Sequence, residues 1–145
     1  MASVLTLENK FRSVGLGEAD RAPLLQLIAE EEDATTLSSL LYMWGYTFPE
    51  ESSVRAVCLR HIEIPSPGLT ATCLKLVCDY WGQWREYERE LSRYLDPAIY
   101  DEWYDEVIVA FSFVSRHPYG WSLETLTKYA NVNREAERLG LTDFQ

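Results

Sequence analysis

The sequence predicts an all-α chain. Apolar residues recur at helical spacing through most of its length, strand-type alternation is missing, and no Asn-Gly or Asp-Gly hairpin turn occurs. With 145 residues, 47% of them hydrophobic and 25% charged, a single all-helical domain over residues 1–145 with a sizeable core is expected.

The elements follow in order from their punctuation. A first helix is expected over about Leu5–Val14, stopped by Gly15-Leu16-Gly17. Asp20 is placed to cap a second, with Pro23 tolerated in its first turn. Glu30-Glu31-Glu32-Asp33 opposes a helix C-terminus and reads as a turn that opens a third helix, Thr35–Tyr46. Pro49 fits the first position of a fourth, with Glu50 and Glu51 favoured in its first turn. Its apolar stripe is Val54, Val57, Cys58, His61 and Ile62. After Pro65-Ser66-Pro67, a fifth helix buries Leu69, Cys73, Leu76, Val77 and Tyr80 and ends before Gly82. A sixth carries Trp84, Tyr87, Leu91, Tyr94 and Leu95 on one face. Asp96-Pro97 reads as a cap and first-turn proline opening a long helix to about Ser115. Its second half, VIVAFSFV, is apolar all round and so central. Ser122 caps the last helical region, with a break expected near Asn131-Val132-Asn133 and an end at Gly140. Short connectors make neighbouring helices antiparallel, giving either a compact bundle or an α-solenoid.

The net charge is −10, divided equally along the chain: residues 1–72 carry 10 acids and 5 bases, residues 73–145 carry 13 and 8. A negative field disfavours nucleic acid and anionic membrane and favours a cationic partner. The first residues lack the pattern of a secretory leader, and the longest apolar run, Val107–Val114, is too short to span a bilayer. Cys58, Cys73 and Cys78 have no paired spacing and read as buried thiols of a reducing cytosol. His61 and His117 form no metal-binding pattern, no nucleophile elbow or phosphate loop occurs, and neither a metal, a cofactor nor catalysis is expected. His61 reads as a hydrogen-bonded core residue and His117 as a loop residue.

The segment Phe48-Pro49-Glu50-Glu51-Ser52-Ser53-Val54-Arg55-Ala56-Val57-Cys58-Leu59-Arg60-His61-Ile62 resembles the second half of a HEAT-type repeat, in which a proline or acidic turn precedes a Val-Arg pair. The helix Leu69–Trp81 with Trp84–Leu95 looks like the next repeat, and the likeness covers about residues 35–116. The resemblance implies a short HEAT-like α-solenoid of antiparallel helix pairs, the alternative being the compact helical bundle. A short, acidic, Trp-rich helical chain of this kind also resembles immunity proteins of bacterial toxin–immunity systems, contact-dependent inhibition among them. That likeness implies a cytoplasmic, non-enzymatic protein that binds and neutralises a cognate toxin domain, commonly a basic nuclease. An adaptor taking a peptide between helices is the alternative.

The candidate site comes from residues 79–106, where eight of 28 residues are Tyr or Trp and nine are Asp or Glu. Rings supply interface contacts and carboxylates steer a basic partner. Trp84, Tyr87, Tyr94 and Trp103 lie on apolar stripes and read as core, with Trp81 open between core and surface. Asp101 with Asp105, and Glu102 with Glu106, are spaced i, i+4 on the expected helix, where the dipole accounts for acids in the first turn only. The expected partner-binding residues are Asp79, Glu86, Tyr100, Asp101, Glu102, Tyr104 and Asp105. Tyr119 and Trp121 are second-choice interface aromatics.

Overall fold

The computed structural model describes residues 3–140, and all regular elements among them are helical. Eight α-helices occur there: α1 (Val4–Ser13), α2 (Arg21–Glu30), α3 (Ala34–Thr47), α4 (Ser52–Glu63), α5 (Leu69–Leu74), α6 (Glu88–Arg93), α7 (Tyr104–Arg116) and α8 (Leu123–Leu139). Several ends are set by the expected side chains. Asp33 accepts the Thr36 N–H at 2.9 Å, Ser122 accepts that of Thr125 at 3.2 Å, and Gly140 ends α8 at φ +68°.

Other boundaries move because a tertiary contact claims the residue. Asp20 does not cap α2; its carboxylate takes the Lys10 ammonium and the Gly17 N–H, both at 2.8 Å, which holds its pKa below the usual carboxylate range. Pro49 lies outside α4, where its carbonyl accepts the Trp44 indole N–H at 3.0 Å. The long helix expected from Pro97 is interrupted. A single 3-10 turn, Pro97–Ile99, capped by Asp96, is followed by a non-helical turn, and α7 begins only at Tyr104. Trp103 anchors that turn against Tyr94, ring centroids 5.6 Å apart. The sixth helix likewise starts as a 3-10 turn over Trp84–Tyr87, while α8 runs unbroken through Asn131–Asn133.

Helices α3, α5 and α7 pack side by side in that order; α2 packs on α3 and α4, α4 on α5, and α6 on α7 and α8. Because short turns make consecutive helices antiparallel, α3, α5 and α7 all begin at the same end, where α2, α4 and α6 finish. One hydrophobic cluster runs through these layers from Leu7 to Ala136, with Trp44, Leu74, Leu76 and Phe113 fully buried. Trp44, outside the aromatic tract, is fully buried. Trp84, Tyr87 and Trp103 are half-buried, so of the expected core aromatics only Tyr94 is enclosed.

The three thiols are buried and free, as their apolar neighbours imply. Contact with Cys58 and burial push the Cys73 thiol far above its ordinary pKa, and burial pushes Cys78 up to about 12. Such thiols carry no nucleophile at neutral pH.

Helix α5 continues as a π-helical stretch, Lys75–Tyr80, directly against Gly45 of α3. A Cβ on Gly45 would sit 2.6 Å from the Tyr80 ring and 2.8 Å from Leu76. The glycine therefore sets how closely α3 and α5 approach. Gly45→Ala is expected to lower stability by about 1–3 kcal/mol through overpacking, read as a shift in urea midpoint. The native thiols are expected to resist a disulfide reagent until the chain unfolds, read as thiol titration with and without denaturant.

Candidate partner-binding surface

The end at which α3, α5 and α7 begin carries Glu30, Glu31, Glu32, Asp33, Glu63, Asp96, Asp101, Glu102 and Asp105. Among the bases at this end, Arg60 and Arg93 lie in the last turns of α4 and α6, and Arg138 of α8 pairs with Glu135 at 2.5 Å. The opposite end is compensated. There Lys10 pairs with Asp20 at 2.8 Å, Arg21 with Glu51 at 3.3 Å, Arg55 with Glu50 at 2.9 Å, Arg116 with Asp79 at 3.7 Å and Lys128 with Glu124 at 3.6 Å. Charge that is even along the sequence is thus polarised in space. Part of the acidity has a local use, since Asp33 and Asp96 cap helical turns. Glu32, Asp101, Glu102 and Asp105 are exposed, and their carboxylates make no hydrogen bond or ion pair among the described residues.

The structure divides the expected site. Tyr100, Asp101, Glu102, Tyr104 and Asp105 lie together at the acidic end, where the Tyr100 and Tyr104 rings meet edge-on at 5.0 Å. Both tyrosines are half-buried. Asp79 and Glu86 lie at the far end, Asp79 in its pair with Arg116 and Glu86 exposed on the Trp84–Tyr87 turn. They do not adjoin the others. Asp101 and Asp105 also diverge, because the chain is not helical between them. Asp101 borders α8 beside Val132 and Ala136, whereas Asp105 borders a groove against α5. Of the second-choice aromatics, Tyr119 is 83% exposed, while Trp121 is buried with its indole N–H on the His117 carbonyl. His117 is not a free loop residue: its ring stacks on Trp84, centroids 4.6 Å apart. His61 is half-buried, and burial lowers its pKa.

Glu106 departs furthest from a solvated helix face, being 0% exposed. Its Oε2 accepts the N–H of Gly68 at 2.8 Å and of Ala71 at 2.6 Å, so a side chain of α7 caps the start of α5. Oε1 has no hydrogen-bond partner among the described residues. Burial raises the Glu106 pKa against the pull of those N–H groups. This carboxyl ties together two helices that border the groove. Its one sequence signal was that an acid at this position lies beyond the dipole-favoured turn.

The groove, of about 500 Å³, is bordered by Thr35, Ser38 and Tyr42 of α3, Thr72 of α5 and Lys75 of its continuation, and Asp105 of α7. Beyond Tyr42 lie Tyr46, 68% exposed, and Phe11, with ring centroids 5.4–6.4 Å apart across the three. Burial pushes the Tyr80 phenol up to about 12. These residues lie outside or at the margin of residues 79–106, which is why the aromatic–acidic density did not point to them. No group of three or more His, Cys, Asp or Glu side chains able to hold a metal occurs among the described residues.

Glu106→Gln retains an acceptor for both N–H groups, whereas Glu106→Ala removes it and is expected to cost roughly 2–4 kcal/mol by leaving two buried donors unpaired. The raised pKa sets the sign of the pH dependence. Stability from the neutral carboxyl is complete below the unfolded value and is lost as pH rises through the folded one. Relative to Glu106→Gln, the wild type is therefore expected to lose stability as pH climbs from the ordinary carboxyl range through that raised value, read from urea unfolding across pH 4–8. The chain matches no protein-family model, no curated protein and no solved structure.

Proposed function

We propose that this chain is a non-enzymatic, cytoplasmic inhibitor of the immunity type. It binds a basic toxin domain, a nuclease in the leading reading, with the acidic end of its helices. The observation that carries the reading is the spatial separation of charge. Five ion pairs gather at one end, while at the other, beside the one pair Arg138–Glu135, the carboxylates of Glu32, Asp101, Glu102 and Asp105 stand without a partner among the described residues. Unpaired carboxylates do little for stability, because surface charges that find no partner contribute nothing to it. They steer a cationic surface and reject anionic ones. Mimicry of a nucleic-acid backbone by these acids would block a nuclease while leaving the chain itself without affinity for nucleic acid.

The same packing supports the solenoid over the bundle. Neighbour-to-neighbour order α3, α5, α7, with α2 and α4 on their outer side, is the stacking of successive helix pairs. A membrane-spanning role finds no support, as no helix among the described residues is long and apolar enough.

The test is co-expression with the basic domain encoded by the neighbouring reading frame, scoring survival and complex formation. Asp101→Lys with Asp105→Lys is expected to leave the fold intact and to slow association at low salt at least tenfold, with wild-type association falling steeply as salt rises. Glu86→Lys, at the compensated end, is expected to change neither. Equal association by the acidic-end variant and the wild type would sink the site; a neighbouring product that is neither basic nor toxic would sink the function.

A further inference from the structure

The groove between α3, α5 and α7 changes character along its length. Its mouth, at the acidic end, has Thr35 and Asp105; its middle has Ser38, Thr72 and Lys75; its far end has Tyr42, with Tyr46 beyond. The walls are held from beneath. Glu106 ties the start of α5 to α7, and the Ser38 and Thr72 hydroxyls hydrogen-bond across α3 and α5. A site whose walls are fixed before binding loses less entropy on binding.

We propose that this groove receives an extended segment of the basic partner, with a Lys or Arg side chain at Asp105 and an apolar side chain against Tyr42 and Tyr46. The inference rests on the basic-partner reading above and adds the mode of recognition.

Charge decides the polarity of the occupant. Asp105 and the neighbouring free acids, Glu32 and Glu102, accept a cation at the mouth. Lys75, its ammonium 5.7 Å above the Tyr42 ring, repels a second cation from the middle. Backbone chemistry decides its conformation. An extended segment brings N–H and C=O groups that need partners once they leave water. The groove middle offers the remaining lone pairs of the bonded Ser38 and Thr72 hydroxyls as acceptors for N–H groups, and the Lys75 ammonium as a donor for carbonyls. A helical segment, its own N–H and C=O groups satisfied internally, would bury the Lys75 ammonium without a partner.

Geometry then sets the spacing. Thr35 and Tyr42 are seven residues apart on α3, about 10 Å along the axis at ~1.5 Å per residue. An extended chain of the polyproline II type covers that distance in about three residues at ~3.1 Å each and returns its side chains to the same face every third position. The recognised pattern is therefore a cationic residue and an apolar residue three positions apart.

The experiment uses the full chain, isotopically labelled, and two six-residue peptides with blocked ends. One is Gly-Arg-Gly-Ser-Leu-Gly; the other has the same composition with Arg and Leu adjacent. The first is expected to give saturable amide shifts at Thr35, Ser38, Thr72 and Lys75, with affinity at least tenfold above the second. Asp105→Asn and Tyr42→Ser, each checked for retained helicity, are expected to lose tenfold or more, and Glu86→Gln nothing. Equal binding of the two peptides, shifts scattered over carboxylates at both ends, or no saturable shift would each overturn the groove. The two readings fail separately. If a basic toxin domain binds wild type and Tyr42→Ser alike but loses affinity on charge reversal at Asp101 and Asp105, the groove is wrong and the acidic-end reading stands. If charge reversal leaves that domain's binding unchanged while the peptide still occupies the groove, the acidic-end reading is wrong instead.

Discussion

The carboxyl of Glu106 is the constraint on which the working end of the molecule depends. Gly68 and Ala71 begin a helix that follows the Pro65–Pro67 break, and no side chain of that break caps it. Two backbone N–H groups, one of them fully enclosed, would otherwise be stranded in the core, at a cost of about 1–3 kcal/mol each. Supplying their acceptor from α7 satisfies them and fixes the register of α5 against α7 in one contact. It also leaves the preceding residue, Asp105, bordering the groove rather than the core. The neighbouring acids can stay free because this one is buried and does the capping.

The second organising feature is the distribution of ion pairs. Carboxylates at helix starts are favoured by the helix dipole, and cations at helix ends for the same reason. In a stack where α3, α5 and α7 all start at one end, that preference gathers acids there without any pairing requirement. At the other end, acids opening α2 and α4 face bases closing neighbouring helices or sitting within them. Lys10–Asp20 and Arg21–Glu51 follow from that juxtaposition. Exposed pairs of this kind add little stability each. Their consequence is electrostatic shape: a net charge of −10 becomes an acidic end and a nearly neutral one. The acidic-end reading and the groove reading both rest on that polarity, and both place recognition where helix α5 is tied to α7.

Helix existence was legible wherever periodicity and a local cap agreed. The ends of α1, α3 and α8 are found within a residue or two of expectation, because Ser3, Asp33 and Ser122 each bond an N–H three residues on, although the break expected in α8 near Asn131–Asn133 is absent. Legibility failed where a residue with a plausible local role was claimed by a distant one. Asp20 gave up its cap to Lys10, Pro49 gave its carbonyl to Trp44, and Trp103 broke the long helix by packing on Tyr94. The candidate site divided in the same way. Tyr100 to Asp105 stayed together because they are one turn of chain, whereas Asp79 and Glu86 are near in sequence yet belong to the opposite end.

The sequence by itself determined the all-helical class, the net charge, the burial of the thiols and the run of acids and rings after Pro97, since each follows from composition or from contacts within a few residues. Only the tertiary structure decided which acids are free. Whether a carboxylate caps, pairs or faces solvent depends on partners thirty or more residues away, such as Gly68 for Glu106 and Arg116 for Asp79. The groove is a tertiary product for the same reason: its walls come from three helices that no local periodicity brings side by side.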